Sequence, residues 1–348
     1  DWPSQLAGPK SVSKSFFYPS IGASVVLSEL MPNLNKDYLS YMKIRGSWAS
    51  VGNPFARYLA NPRYEWNPVG GSGQWSNTTQ YPAYNLKPER TNSFEVGLTM
   101  KFLKSFDLDI TYYNAKTMNQ TFNPELPVNG YSAIYLQTGA VRNQGLELSL
   151  GYKNTWNNFT WETGLTYSMN RNKILELADN AINPATGEPI SISTLDMGGL
   201  GEAKFLLREG GTMGDLYSLI DLQRDANGKI YVDANGQIAT ETISNPNNYI
   251  KLGSVLPKGN LSWRNNFNWK NFNVGFLVTA RLGGIVFSRT QAMLDYFGVS
   301  EATATARDQG YVIINDNDHI NPETWYNVIG GGTSVPQYYT YSATNVRL

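Results

Sequence analysis

The chain of 348 residues has no cysteine, which removes disulfide frameworks and thiolate metal sites. It has one histidine, His319, so a histidine-based triad or a histidine-rich metal site cannot be assembled. Charged residues make up only 16% and sum to zero, and no Lys/Arg-rich run carries interleaved aromatics, so nothing suggests a nucleic-acid partner. No apolar run is long enough for a transmembrane helix, and no signal peptide opens the chain. A β-barrel would not need the first. It would need the second, which implies a mature chain or a fragment.

What is present is β-rich. Aromatics make up 13%, with 22 Tyr and 9 Trp. The run Phe106-Asp107-Leu108-Asp109-Ile110-Thr111-Tyr112 alternates apolar and polar residues without a slip. Successive strand side chains point to opposite faces, so this segment separates an apolar from a wet environment. Phe94, Val96, Leu98, Met100 and Phe102 repeat the pattern around Glu95, Gly97, Thr99 and Lys101. Leu146, Leu148, Leu150 and Tyr152 repeat it around Glu147, Ser149, Gly151 and Lys153. A soluble sandwich yields such alternation, and so does a membrane β-barrel with lipid outside and water inside.

Charged residues keep to the polar phase. Arg45 lies between Ile44 and Gly46, Glu162 between Trp161 and Thr163, Arg264 away from Trp263, and Arg281 away from Val278 and Leu282. A barrel must do this, because a lipid-facing Lys or Arg near the bilayer centre costs roughly 2–4 kcal/mol. The expected lumen-lining residues are therefore Arg45, Glu95, Asp107, Asp109, Glu147, Glu162, Arg264 and Arg281. Phe102, Phe106, Tyr152, Trp156, Phe159, Phe267, Trp269 and Phe272 gather beside short turns, as a membrane girdle would.

Nine strands are expected, at roughly 16–30, 38–52, 90–102, 105–118, 134–153, 158–172, 255–269, 271–284 and 337–348. Short connections alternate with long ones at 53–89, 119–133, 173–254 and 285–336, the asymmetry of outer-membrane barrels with tight periplasmic turns and long extracellular loops. Nine is odd and the last strand lacks an aromatic end, so residues 1–348 read as one all-β unit: a transmembrane antiparallel β-barrel segment that begins and ends in mid-barrel. The 173–254 excursion carries Asp225-Ala226-Asn227-Gly228 and Asp233-Ala234-Asn235-Gly236 around an expected short strand, Lys229 to Val232.

No catalytic set and no cofactor or metal site is expected. The Asp-x-Asn-Gly turns lack the later ligands of a calcium loop. Gly70-Gly71-Ser72-Gly73 and Gly330-Gly331-Gly332 lack the Lys-Ser/Thr of a phosphate loop and read as flexible tips. Asp107 and Asp109 share a strand face as a glycosidase pair might, but lumen polarity accounts for them. His319 follows Asp316 and Asp318 and reads as solvated. The long loops carry Trp66, Trp75, Tyr81 and Trp325, candidates to contact ligand or a partner lid; packing of the loops on one another is the other reading.

Several strings then resemble one family. Leu39 to Asn53, LSYMKIRGSWASVGN, is similar to a strand of the SusC/RagA family of TonB-dependent outer-membrane transporters. So are Leu86-Lys87-Pro88-Glu89-Arg90-Thr91 to Leu98, Thr138 to Leu148 (TGAVRNQGLEL), Phe16 to Ser20, Leu252 to Lys258, and Tyr341 to Leu348, all in family order. The resemblance implies part of a 22-stranded plugged barrel, roughly the twelfth to twentieth strands, in the outer membrane of a Gram-negative cell. It implies active import of an oligosaccharide or peptide without covalent chemistry. The implied partners are a SusD-like surface lipoprotein, the TonB–ExbB–ExbD complex acting through an N-terminal part outside this chain, and outer-membrane lipid. The competing reading is a soluble or cell-surface β-rich carbohydrate-binding or adhesion protein, which detergent-independent solubility would reveal.

Overall fold

The structure, a computed structural model, describes residues 15–54, 64–69, 72–77, 80–81, 87–122, 133–134, 136–183, 186–332 and 334–348. Its frame is a nine-stranded sheet in which each strand pairs antiparallel with its neighbour in the chain. The strands are β1 (Ser20–Val26), β2 (Leu39–Asn53), β3 (Glu89–Phe102), β4 (Phe106–Phe122), β5 (Leu136–Trp156), β6 (Phe159–Glu176), β7 (Gly259–Trp269), β8 (Phe272–Leu282) and β9 (Asn345–Arg347). The nine expected strands are thus all present. The sheet is open: among the described residues β1 and β9 each pair on one side only.

The alternation read from the sequence becomes two sets of rows across the sheet. One row pairs Val25, Ile44, Leu98, Ile110, Leu148, Tyr167, Leu261, Ala280 and Val346 in register across all nine strands. The adjacent row pairs Ser24, Arg45, Gly97, Thr111, Glu147, Ser168, Asn260, Arg281 and Asn345. A slip of one residue on any strand would turn its whole apolar set to the other face, which is why the pattern fixes the register. The apolar face is bare: Ile21 and Phe272 are each 71% exposed, and Val25, Ile44, Trp48 and Trp263 are exposed as well. A sheet in water would cover that face, whereas hydrocarbon is its natural solvent.

At one end the strands are joined tightly. Leu103 and Lys104 both take positive φ (49° and 63°), the turn geometry that matches strand twist. Asn157 and Lys270 do the same at the β5–β6 and β7–β8 turns. The β1–β2 connection contains a one-turn helix, α1 (Leu27–Leu30), so the first strand stops at Val26 rather than running to 30. Strand lengths separate the membrane part from the rest. β7 and β8 have 11 residues each, about what a tilted crossing needs. β5 has 21 and β6 has 18, so both continue well beyond a bilayer.

At the other end the connections 177–258 and 283–344 fold together into a cap. Three helices lie there where loop was expected: α2 (Arg289–Tyr296), α3 (Glu301–Gln309) and α4 (Pro322–Gly330). Each has its start signal in the sequence. Ser288 and Ser300 accept from the Gln291 and Thr303 amides, and Asn321 accepts from Glu323 and Thr324 ahead of Pro322. Gly310 ends α3 at φ 85°. Ile220, Leu222 and Ile238 from the first connection pack with Ala292, Ile314, Ile320, Trp325, Ile329, Val335 and Tyr339 from the second in one buried core. A smaller cluster of Val141, Ile174, Leu177, Leu195 and Leu207 seats the cap on the tops of β5 and β6.

The cap corrects three further expectations, on the last strand, on Lys229 to Val232 and on Gly330-Gly331, and leaves His319 exposed as expected. The last strand does not run over 337–348. Pro336–Tyr339 is a short 3-10 turn, Thr340–Ser342 pairs with Ile285–Phe287, and only Asn345–Arg347 joins the wall. Lys229 to Val232 forms no strand, because the two Asp-x-Asn-Gly turns spend the backbone on side-chain bonds: Asp225 accepts from Asn227 and Lys229, and Asp233 from Asn235 and Gln237, leaving one bridge, Arg224 to Ile230. Gly330 and Gly331 are no flexible tip. Gly330 ends α4 where α2 passes so close that a β-carbon would stand 2.6 Å from the Ala292 carbonyl oxygen. His319 is exposed but stacked on Tyr311, ring centroids 3.9 Å apart.

Candidate functional site

The polar face of the wall is built by residue type and strand parity together. Arg45 on β2 reaches past β3 to β4, where its guanidinium meets the Asp109 carboxylate with two hydrogen bonds of 3.0 and 3.1 Å. The reach is possible because the residue paired with Arg45 on β3 is Gly97; a β-carbon there would lie 2.4 Å from the Arg45 Cζ. Thr99 donates to Asp109 at 2.7 Å and accepts from Arg45 at 3.0 Å, Thr111 accepts from Arg45, and Glu95 stands 3.9 Å from the Arg45 Nε. A planar, always-charged fork bound to both oxygens of a carboxylate fixes geometry as well as charge.

The other expected wall residues fall on the same face. Asp107 pairs in register with Lys101, and Glu147 lies in the Arg45 row between Thr111 and Ser168. Glu162 accepts from Arg264 at 2.8 Å and lies 3.5 Å from Lys153. Arg281 donates to the Val255 carbonyl oxygen at 2.6 Å. The structure brings Arg45, Glu95 and Asp109 into one cluster and Glu162 and Arg264 into another. Asp107, Glu147 and Arg281 stand apart from both.

On the opposite face the aromatics beside the short turns form a continuous band. Phe102 stacks on Phe106 at 5.3 Å, Phe106 lies 4.7 Å from Tyr152, Tyr152 meets Trp161 at 5.3 Å, Trp161 stacks on Phe267 at 6.1 Å, and Phe267 lies 6.3 Å from Phe276. The polar tips of two indoles on this face are satisfied internally, Trp161 by Asn265 at 3.1 Å and Trp263 by Thr163 at 3.0 Å.

The loop candidates divide. Trp66 and Trp75 face each other across the hairpin Tyr64–Val69 and Ser72–Asn77, edge to face at 5.1 Å, and both are exposed (53% and 63%). Tyr81 sits in a two-residue strand paired with Ala133 and Ile134, and its side chain lies outside the described residues. Trp325 is not a free loop aromatic. It belongs to α4, is 8% exposed in the cap core and meets Tyr338 edge to face at 5.2 Å, so its ring has no face left for a ligand. Burial pushes the Tyr338 and Tyr326 hydroxyls up from their ordinary range, and Tyr339 much further, with the Asp295 charge acting in the same direction on Tyr326 and Tyr339. Among the described residues no group of three or more His, Asp or Glu is placed to hold a metal.

Sequence reasoning missed a cleft of about 710 Å³ between the cap and the upper end of β8 and β9. Its residues come from five separate segments, so no local pattern announces it.

Comparison with known proteins follows the same lines. A family model described as TonB dependent receptor-like, beta-barrel, matches residues 2–254. The chain is 26% identical over 322 residues to TonB-dependent receptor P3 of Formosa agariphila, covering 84% of this chain and 30% of that protein. It is 27% identical over 296 residues to TonB-dependent receptor SusC of Bacteroides thetaiotaomicron, covering 78% of this chain and 28% of that one. Among solved structures, the RagAB peptide transporter superposes with a TM-score of 0.66 at 17% identity, over 95% of this chain and 36% of the other. The chain therefore spans about a third of the length of these relatives. With nine antiparallel strands, an exposed apolar face and a family match over most of its length, the chain belongs to the TonB-dependent receptor-like β-barrel family.

Proposed function

We propose that this chain is part of the wall and outer cap of an outer-membrane importer that takes up a nutrient, an oligosaccharide or a peptide, with energy supplied through TonB–ExbB–ExbD. The observation that carries the reading is the pair of adjacent rows across nine strands, one apolar and bare, the other polar and hydrogen-bonded. That arrangement suits hydrocarbon outside and water inside. Hydrocarbon tolerates no open strand edge, so the sheet works as a sector of a larger closed barrel. The polar face, with Arg45, Glu95, Asp107, Asp109, Glu147, Glu162, Arg264 and Arg281, then lines the lumen. The capped end faces the outside, and a SusD-like surface lipoprotein covers it. Trp66 and Trp75 are the aromatic contacts we assign to lid or ligand.

The importer needs no nucleophile or base. Polar groups of wall and cap hold the ligand and release it when the interior rearranges. The test is uptake of labelled maltooligosaccharides and of labelled peptides by cells making the full-length protein, with and without a working TonB. Uptake of one class that vanishes without TonB is expected; uptake indifferent to TonB overturns the reading. Orientation has its own check, since these 348 residues have no cysteine. A single cysteine at Lys229 should react with an impermeant maleimide on whole cells, and one at Ser105 should not.

A further inference from the structure

We propose that a row of cations on the outward face of the wall, at its capped end, binds an outer-leaflet lipid that carries more than one phosphate. Charged residues in the apolar phase of the nine strands are few and gather at that end. They are Arg90, Lys116, Arg142, Arg171 and Lys173, with Glu176 past the bulge near the end of β6. Lys116 on β4 pairs in register with Arg142 on β5, and Arg142 with Lys173 on β6. One row nearer the short turns, Asn114, Gln144 and Arg171 pair in the same way. Lys116, Arg171 and Lys173 are exposed, and Arg142, between the two lysines, is partly buried. These three strands are the central ones of the nine. Strands added beyond β1 and β9 extend the sheet at its edges and leave this outward face as it is.

Like charges stand directly opposite one another in this row. Such cross-strand neighbours lie about 5 Å apart, where equal charges repel and destabilise the sheet. The inner face avoids this by mixing signs: Lys101 pairs in register with Asp107, and Lys153 lies 3.5 Å from Glu162. A rim that only had to be wet would need polarity, not a single sign of charge. The level of the row says what supplies the anions. Lys116 stands about ten residues beyond Phe106 of the aromatic band, roughly 33 Å along the strand and about 25 Å in height at a tilt near 40°, which is the height of a barrel's apolar belt. Arg142 stands equally far beyond Tyr152, because Phe106 pairs with Tyr152 as Lys116 does with Arg142. Leu108, Ile110 and Tyr112 fill the interval on β4, and Leu150, Leu148 and Leu146 fill it on β5. The cations therefore stand where hydrocarbon gives way to headgroups. Three strands span roughly 10 Å, wider than one phosphate. A guanidinium fork between two ammonium groups suits two phosphates held on one headgroup.

The proposal rests on reading the apolar face as lipid-facing and the capped end as outside, but its test needs neither TonB nor a nutrient. The full-length protein in mild detergent is titrated with bisphosphoryl lipid A, and the bound lipid is counted by native mass spectrometry. Bisphosphoryl lipid A should be held more tightly than monophosphoryl lipid A, and phosphatidylglycerol less tightly than either. Each cation removed should weaken binding about fivefold, so Lys116→Gln, Arg142→Gln and Lys173→Gln combined should weaken it roughly a hundredfold. Lys229→Gln, in the cap, should leave it unchanged. Equal retention of bisphosphoryl lipid A and phosphatidylcholine overturns the proposal. So does a triple variant that keeps its heat-modifiable barrel band and binds lipid A as the parent does, or a loss at Lys229→Gln as large as at Lys116→Gln. Displacement of the lipid by excess inorganic phosphate would make this a site for a soluble anion and overturns it too. A full-length protein that stays monodisperse in water without detergent overturns the membrane reading along with it. Uptake indifferent to TonB would leave this site standing, and failure to retain lipid A would leave TonB-dependent uptake standing.

Discussion

Ile21 and Phe272, in the wall, each expose 71% of their surface, whereas Val335 and Tyr339, in the cap, expose 0% and 1%. The same residue types thus end on opposite sides of the protein surface within one chain. In the wall the apolar side chains look outward and the ordered polar groups look inward, where Arg45, Thr99, Asp109 and Thr111 satisfy one another. In the cap the apolar side chains of the core, such as Val335 and Tyr339, look inward and turn acids such as Asp225 look outward. Nothing in the amino acids differs. The solvent does, and the boundary runs near the upper ends of β5 and β6, where Val141 and Ile174 already belong to a buried cluster.

The largest effect that could break this comparison is in the cap. Trp325→Ala empties a buried site among Ile329, Tyr338 and their neighbours and should cost about 3–5 kcal/mol. Because the wall has no share in that core, the loss should stay local. Proteinase K on whole cells should then cut within 283–344, while the wall keeps its heat-modifiable migration. A variant that loses the barrel band as well would show that cap and wall fold as one unit.

In the wall the counterpart is Ile110→Arg. Ile110 lies in the central apolar row, flanked in register by Leu98 and Leu148. If that row faces hydrocarbon near the midplane, the arginine should cost roughly 2–4 kcal/mol. Ser149→Arg, on the polar phase one row away, is the control and should cost much less. Urea titrations of refolded full-length protein in lipid vesicles read the difference. Equal costs at the two positions would mean that the faces do not meet different solvents.

This contrast also explains what could be read in the sequence. Period-two alternation is a local signal, and the wall obeys it from Phe94 to Phe102, from Phe106 to Tyr112 and from Leu146 to Tyr152, so the number of wall strands and the split between an apolar and a polar face were legible. The cap is assembled from contacts between connections far apart in sequence, such as Ile220 with Tyr339, and no local period encodes those. Its helices did leave marks: Ser288, Ser300 and the pair Asn321-Pro322 are start signals, and Gly310 a stop signal. Trp325 shows the limit most clearly. Its identity suits a sugar platform or a core equally well, and only the burial of α4 decides between them. The cleft with Arg281 and Arg347 was equally hidden, since it exists only once five segments meet.

A smaller effect sharpens the inner face. Gly97→Ala should cost about 1–3 kcal/mol, because its new β-carbon would press on the Arg45 Cζ at 2.4 Å and force the guanidinium away from Asp109. The cost should depend on Arg45. In an Arg45→Ser background the contact with the guanidinium is gone, and a double-mutant cycle read by the same urea titrations should show most of the penalty gone. Additive costs would mean that Gly97 is there for strand geometry and that Arg45 does not need its room.

The smallest effect belongs to the outer turns and depends on pH. Asp225 accepts from the Lys229 and Asn227 amides, and those bonds hold its carboxyl below the ordinary value of 3.8. A carboxyl lowered on folding steadies the turn fully above that ordinary value, and the contribution fades as pH falls through the lower, folded value. The turn at 225–229 should therefore loosen below about pH 4 while the wall, whose polar groups lie in the sheet, keeps its protection. Asp225→Asn keeps an oxygen acceptor but cannot titrate, so it should form the turn at every pH and lose the acid response. Hydrogen exchange of the 223–232 backbone, corrected for the intrinsic pH dependence of exchange and followed from pH 6 to pH 3, separates the two proteins. An acid response that persists in Asp225→Asn would place its origin elsewhere in the cap. A turn that never loosens would mean that the Asp225 bonds matter less than the positive φ of Gly228, which sets the turn whatever the charge.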